Sequence, residues 1–116
     1  SPLQVGNRRT KTEVVVHGET LASGTFIHVG IASANHDERE FPDADALDIA
    51  RRPNRHLAFG NGIHTCAGNS LARMEASLAF TKLLDRFPTI EQTGPTVRPA
   101  RARFRVVSEL PVRLAM

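Results

Sequence analysis

Between residues 67 and 87 apolar side chains recur three and four positions apart, through Ala72, Ala76, Ala79, Phe80, Leu83 and Phe87, which is the period of an α-helix. Leu71, Met74, Leu78 and Leu84 widen that stripe, so the helix expects neighbours on more than one side. Phe87-Pro88 ends it, because proline cannot supply the next backbone donor and restricts the residue before it. Upstream, the β-branched run at 13–16 closes at His17-Gly18-Glu19, and a second run at 25–29 follows Ser23-Gly24. The two together predict a hairpin. A short turn of helix is expected from Ala32, whereas the span 35–63 has no sustained period and contains Pro42 and Pro53. So long an irregular span points to function, or to surrounding protein outside this chain. Strands are expected at 103–107 and 112–115, giving an α+β fold class. No internal repeat or low-complexity tract is present.

With 116 residues, 41% hydrophobic and 23% charged, the chain has the length and composition of one soluble domain, and no stretch approaches the ~18 apolar residues that cross a bilayer. The start lacks a secretory pattern and the lone Cys66 cannot form an internal disulfide, so a reducing, cytoplasmic setting is expected. Because the chain opens Ser1-Pro2 rather than at methionine, it is expected to be processed or to be the tail of something longer.

The net charge of +3 comes almost wholly from arginine, whose planar fork suits carboxylates and phosphates. The densest run is Arg98, Arg101, Arg103 and Arg105, of which the last three alternate with Ala102, Phe104 and Val106. Such alternation places the arginines on the solvated face of a strand rather than in a nucleic-acid patch. Absence of Trp and Tyr removes most stacking platforms for bases as well.

Chemistry concentrates just before the long helix, in Phe59-Gly60-Asn61-Gly62-Ile63-His64-Thr65-Cys66-Ala67-Gly68. The glycines permit tight turning, and the cysteine falls at the helix N-terminus, where free amides and the helix dipole stabilise a thiolate. As a nucleophile that thiolate has His64 nearby but no nameable oxyanion partner. Zinc needs companions, and His17, His28, His36 and His56 show no paired spacing. A dinucleotide loop would need a third glycine three residues after Gly62. A lone cysteine is ordinarily an inert, buried small hydrophobe.

The motif Phe-Gly-x-Gly-x-His-x-Cys-x-Gly over 59–68 resembles, without departure, the haem-ligand signature of the cytochromes P-450, the haem-thiolate monooxygenases. Leu71-Ala72-Arg73-x-Glu75 is similar to the start of that family's proximal helix, and Ser33-Ala34-Asn35-His36-Asp37 to the segment before its meander. Ser1-Pro2-Leu3-Gln4 with Arg8 resembles the strand region after the family's Glu-x-x-Arg helix, and Glu109-Leu110-Pro111-Val112 the final strand pair of bacterial members. The likeness covers nearly the whole chain but only the C-terminal part of a complete member. It implies a β region at 1–30, a short helix and meander at 31–58, the cysteine loop at 59–68, a proximal helix at 67–87 and closing strands within 97–116.

By that resemblance Cys66 is the proximal thiolate ligand of haem b, the iron complex of protoporphyrin IX, and pushes electron density towards the metal. The backbone at Gly60, Gly62, Ala67 and Gly68 folds beneath the macrocycle, and Phe59 shields the sulfur. His64 and Arg8 match positions that bind the haem propionates. Arg51 matches a structural arginine of the meander. Arg73 is either structural or part of a surface for an acidic donor. Leu3, Gln4, Val5 and Gly6, with Phe104 opposite, correspond to substrate-pocket walls. His17, His28 and His36 are expected at the surface, while His56 stays undecided.

The implied activity is insertion of one atom of dioxygen into a small organic substrate, with electrons from a ferredoxin-type donor and its reductase. A peroxide-using member stays open, because the distal residues that would separate the two are not in this sequence. So does a non-catalytic haem-binding remnant or interaction module. The isolated chain is expected to be inactive.

Overall fold

The computed structural model describes residues 1–116 and shows a mixture of short strands and one long helix. Its elements are β1 (Val5–Arg9), β2 (Val14–Val16), β3 (Glu19–Leu21), β4 (Phe26–Gly30), α1 (Ile31–Ala34), α2 (Asn69–Arg86), β5 (Thr89–Gln92) and β6 (Val112–Ala115). A single 3₁₀ turn, Gly62–His64, precedes α2. The elements fall into two compact units, Ser1–Ala58 with Arg101–Arg105, and Phe59–Ala100 with Val106–Met116.

In the first unit β1 pairs antiparallel with β4, Val5 opposite Gly30 and Arg9 opposite Phe26. Strand β2 pairs with β3 through His17 and Gly18, both at positive φ (50° and 85°). Such a two-residue turn matches the right-handed strand twist and favours glycine. The expected partnership of 13–16 with 25–29 is therefore corrected: each run pairs with a nearer or an earlier strand. Threonine side chains close the base of this arrangement. Thr10 Oγ1 donates to the Ala22 carbonyl at 2.6 Å and accepts from Thr25 N at 2.9 Å.

Residues 103–107 do not form the expected strand. Only Phe104 makes a bridge, to Leu3, while Gln4 N donates to the Arg103 carbonyl at 2.8 Å and Arg105 N to the Pro2 carbonyl at 2.7 Å. The alternation at 101–106 is thus spent on one short pairing, and the neighbouring positions have no ladder to extend.

After α1 the chain turns at Asp37, whose carbonyl accepts from Phe41 N at 2.9 Å and whose carboxylate accepts from Arg39 N and Nε at 3.0 and 2.9 Å. Phe41 is the one buried apolar residue of the chain. The Arg39 side chain, bonded to that carboxylate, lowers the Asp37 pKa from 3.8 to about 2. A depressed carboxyl pKa stabilises the fold above its unfolded value, and that contribution disappears as pH falls through the folded one. The turn at 37–41 is accordingly expected to loosen between pH ~4 and ~2. Following the Asp37 carboxyl and the Phe41 ring by NMR across that range checks this. An Asp37→Asn protein should show no such acid-dependent step.

In the irregular span Arg51 Nη1 donates to the Pro42 carbonyl at 2.6 Å and Nη2 to the Asp43 carbonyl at 3.1 Å, so one guanidinium holds both ends of 42–51. Asn35 Oδ1 accepts from Leu57 N at 2.7 Å and anchors the far end of the span.

The second unit is built on α2. It starts two residues later than the expected 67 and ends at Arg86, with Phe87 N still bonded to Leu83 O at 2.8 Å. The guanidinium of Arg86, in the last turn, lies 5.5 Å from the Phe87 ring, a cation placed favourably at the negative end of the helix. No residue of α2 is buried, and Leu71, Met74, Leu78, Phe80 and Leu84 are each more than half exposed. The breadth of its apolar surface, seen in the periodicity, is real and uncovered. Strand β5 pairs with β6, Thr89 opposite Ala115, and Glu91 meets Arg113 across the strands at 3.0 Å.

Candidate functional site

Residues 59–68 form a loop closed by its own backbone. Cys66 N donates to the Phe59 carbonyl at 2.7 Å, and the Cys66 carbonyl accepts from Asn69 N at 3.1 Å at the entrance to α2. Between these ends the chain makes the 3₁₀ turn, capped by Asn61, whose side-chain oxygen accepts from Gly62 N at 2.8 Å. Thr65 Oγ1 adds a bond to the Gly62 carbonyl at 2.9 Å.

The glycines are required at two levels. Gly60 has φ +74°, and a Cβ there would stand 2.6 Å from the His64 carbonyl oxygen. No side chain fits. Gly62 has φ +60° but faces open space, so its requirement is conformational only. Gly68, the N-cap of α2, lies where an added Cβ would come 3.9 Å from Cys66 Sγ, keeping the sulfur's flank open.

Cys66 is exposed and free, three residues before the first residue of α2. No side chain caps that helix and no acid stands in its first turn, so its positive end faces the loop uncompensated. The exposure of Cys66 corrects the lone-cysteine alternative: the thiol is not a buried hydrophobe. No three His, Cys, Asp or Glu side chains converge as a metal-binding group. A porphyrin iron asks the protein for only one such ligand on its proximal side.

Phe59 stands at the start of the loop with the Arg73 guanidinium 5.2 Å from its ring centroid. Arg73 Nε also donates to Asn69 Oδ1 at 2.7 Å, so Arg73 joins the ring to the first turn of α2. His64 ends the 3₁₀ turn and is exposed, as is Ala67. The second unit therefore brings together Phe59, Gly60, Gly62, His64, Cys66, Ala67, Gly68 and Arg73.

Arg8, Arg51, Leu3, Gln4, Val5, Gly6 and Phe104 lie in the first unit. Arg8 is an exposed residue of β1 whose Nη1 donates to the neighbouring Asn7 carbonyl at 2.7 Å. The two expected pocket walls are one structure, since Leu3 bridges Phe104. The histidines outside the loop have local partners: His28 Nδ1 meets the Asn7 side chain at 3.0 Å and His36 Nδ1 the Ala32 carbonyl at 2.9 Å. Sequence reasoning missed two asparagines. Asn61 and Asn35 each use an amide oxygen to hold a backbone N–H, a role that Asn before Gly signals only for the first.

A family model described as Cytochrome P-450 matches residues 1–112. A curated cytochrome P-450 of Bacillus subtilis is 40% identical over 97% of this chain and 28% of its own length. The mycinamicin IV hydroxylase/epoxidase of Micromonospora griseorubida is 42% identical over 77% of the chain and 23% of its own length. Among solved structures, P-450BioI in complex with an acyl carrier protein carrying hexadec-9Z-enoic acid superposes with a TM-score of 0.92 at 36% identity, covering 99% of this chain and 30% of that one. The chain thus spans less than a third of the length of the relatives it matches. No helix is long and apolar enough to cross a membrane.

Proposed function

The chain belongs to the cytochrome P-450 family, and from that premise we propose that it is the C-terminal, haem-ligating part of a haem-thiolate monooxygenase with Cys66 as the proximal ligand. The observation that carries this is the closed loop at 59–68. It presents an exposed cysteine just before the uncapped start of α2, in a loop whose Gly60 tolerates no side chain.

The residues present fit a haem. Cys66 supplies a thiolate from a backbone held at both ends, and the uncompensated first turn of α2 stabilises the negative sulfur. Phe59, whose ring lies 5.2 Å from the Arg73 guanidinium, is in this reading the residue that shields the sulfur of the bound group. His64 donates from its ring to a propionate, and Arg8 has the fork to do the same from its own unit. Arg51 keeps the irregular span in place. Haem, when bound, supplies the redox chemistry that activates dioxygen, tuned by the thiolate ligand. In the overall reaction one oxygen atom enters the organic substrate. The other leaves as water, consuming two electrons and two protons.

The two electrons come, in this reading, from a ferredoxin-type donor and its reductase in the cytoplasm. Leu3, Gln4, Val5 and Gly6 with Phe104 border the substrate. The mycinamicin relative's name, a hydroxylase and epoxidase, supports oxygen insertion as the reaction class. The chain alone is expected to oxidise nothing, with the apolar faces of α2 uncovered.

Haem content, the ferrous–carbonyl spectrum and substrate-dependent oxygen consumption of the natural-length protein, supplied with ferredoxin and reductase, test this reading. A thiolate-type carbonyl band with electron-dependent product formation is the expected result. A thiolate band without oxygen consumption on any donor would make the protein a haem-binding module instead, and no haem at all would remove both.

A further inference from the structure

We propose that Asn61 is a site of spontaneous covalent modification, converting to aspartate and isoaspartate through attack by its own neighbouring backbone, and that this ages the cysteine loop. The chemistry needs three things together: an asparagine side chain, a following residue with no side chain, and a backbone free to turn. Residues 61 and 62 are the chain's single Asn-Gly pair.

The geometry sets the reacting groups side by side. Gly62 N donates to Asn61 Oδ1 at 2.8 Å, so the attacking nitrogen and the side-chain carbonyl are neighbours, and giving up that one bond frees the nitrogen. Asn61 is exposed to the water and hydroxide that the reaction consumes. Its ψ of 159° has to turn to bring the nitrogen over the carbonyl carbon, and Gly62 carries no side chain to hinder that approach. Of the two backbone bonds that close the turn, the one from His64 N to the Asn61 carbonyl is long at 3.3 Å, and the one from Thr65 N to the Gly62 carbonyl is 3.1 Å.

The steps balance without any redox change. Hydroxide takes the Gly62 amide proton, and the nitrogen bonds to Asn61 Cγ. The Cγ–Nδ2 bond breaks and ammonia departs, leaving a five-membered succinimide. Water then opens the ring at one of its two carbonyls, giving aspartate or, with an extra methylene in the main chain, isoaspartate.

The other asparagines lack this combination. Asn7, Asn35 and Asn69 are followed by Arg8, His36 and Ser70, each with a side chain that crowds the attacking nitrogen. Asn54 precedes the bulky Arg55.

Isoaspartate would lengthen a loop whose ends are fixed by the bond from Cys66 N to the Phe59 carbonyl, and either product adds a negative charge three residues before His64. The effect on haem retention rests on the reading of Cys66 given above; the modification itself does not.

The test is a peptide map of the natural-length protein during mildly alkaline incubation, with ammonia release and the thiolate spectrum followed in parallel. Asn61 is expected to convert before any other asparagine, with the mass change of an amide becoming a carboxyl and with isoaspartate detected in that peptide. An Asn61→Ser protein should lose that ammonia release and retain its spectrum longer than the wild type. Should that variant not fold, the wild-type map still decides, since it needs no variant. The proposal is overturned if Asn61 stays an amide in the folded protein while the same peptide, unfolded, converts, or if another asparagine converts first. Mass and ammonia are read whether or not haem is bound, so failure of the haem assignment is seen separately.

Discussion

Replacing Cys66 with serine in the natural-length protein is expected to remove the thiolate-type ferrous–carbonyl band completely and with it all substrate oxidation. A serine hydroxyl is nearly the size of the thiol, so the backbone bonds from Cys66 N to the Phe59 carbonyl and from Asn69 N to the Cys66 carbonyl should survive. What changes is the donor. A hydroxyl does not ionise near neutral pH even beside the uncapped start of α2, and it is a poor partner for iron where thiolate is required. Unfolding temperature and far-ultraviolet circular dichroism should therefore shift little while the spectrum is lost. A serine variant that kept both band and activity would refute Cys66 as the ligand.

The second large effect separates two glycines that sequence alone treats alike. Gly60→Ala must accept both a left-handed backbone, costing about 1–3 kcal/mol, and a methyl group 2.6 Å from the His64 carbonyl oxygen. Because that oxygen belongs to the backbone, it cannot swing aside, and the loop from 59 to 66 has to open. Gly62→Ala meets only the conformational cost, about 1–2 kcal/mol, with open space around the new methyl. Haem retention after gel filtration is expected to fall severely for the first and mildly for the second. Equal losses would mean that the close approach at Gly60 does not hold the loop in shape.

Both tests depend on features that differ in how plainly the chain displays them. The loop is legible because it matches a family signature of fixed order, with a phenylalanine, three glycines, a histidine and a cysteine within residues 59–68, and the helix after it because eighteen residues repeat one period. The 2.6 Å approach at Gly60 has no such sign, since it depends on where the His64 carbonyl turns. Strand pairing is also hidden. Val14–Val16 and Phe26–Gly30 both carry strand character, but β1, the true partner of β4, contains Gly6, Asn7, Arg8 and Arg9 and shows no alternation. With β1 invisible, sequence proximity favours the wrong partner. Strand β5, Thr-Ile-Glu-Gln, is polar and exposed, and it is fixed by β6 more than twenty positions later rather than by its own composition. The two carbonyl partners of Arg51, at Pro42 and Asp43, have no sign in the sequence either.

Neither unit is continuous along the chain, and this bears on how the protein is made. The segment Arg101–Arg105 completes the first unit at residues 2–4, and Val112–Ala115 supplies the partner of β5 in the second. A ribosome releases each of these segments long after the strand it joins, so residues 2–4 and β5 have no lasting partner until it emerges. Closing a contact between positions as distant as 2 and 105 also carries a larger loop entropy than any hairpin in the molecule. Termination of translation before Arg101 therefore leaves both units unfinished at once. The unpaired edges would be a target for quality-control proteases before the cysteine loop could serve any purpose.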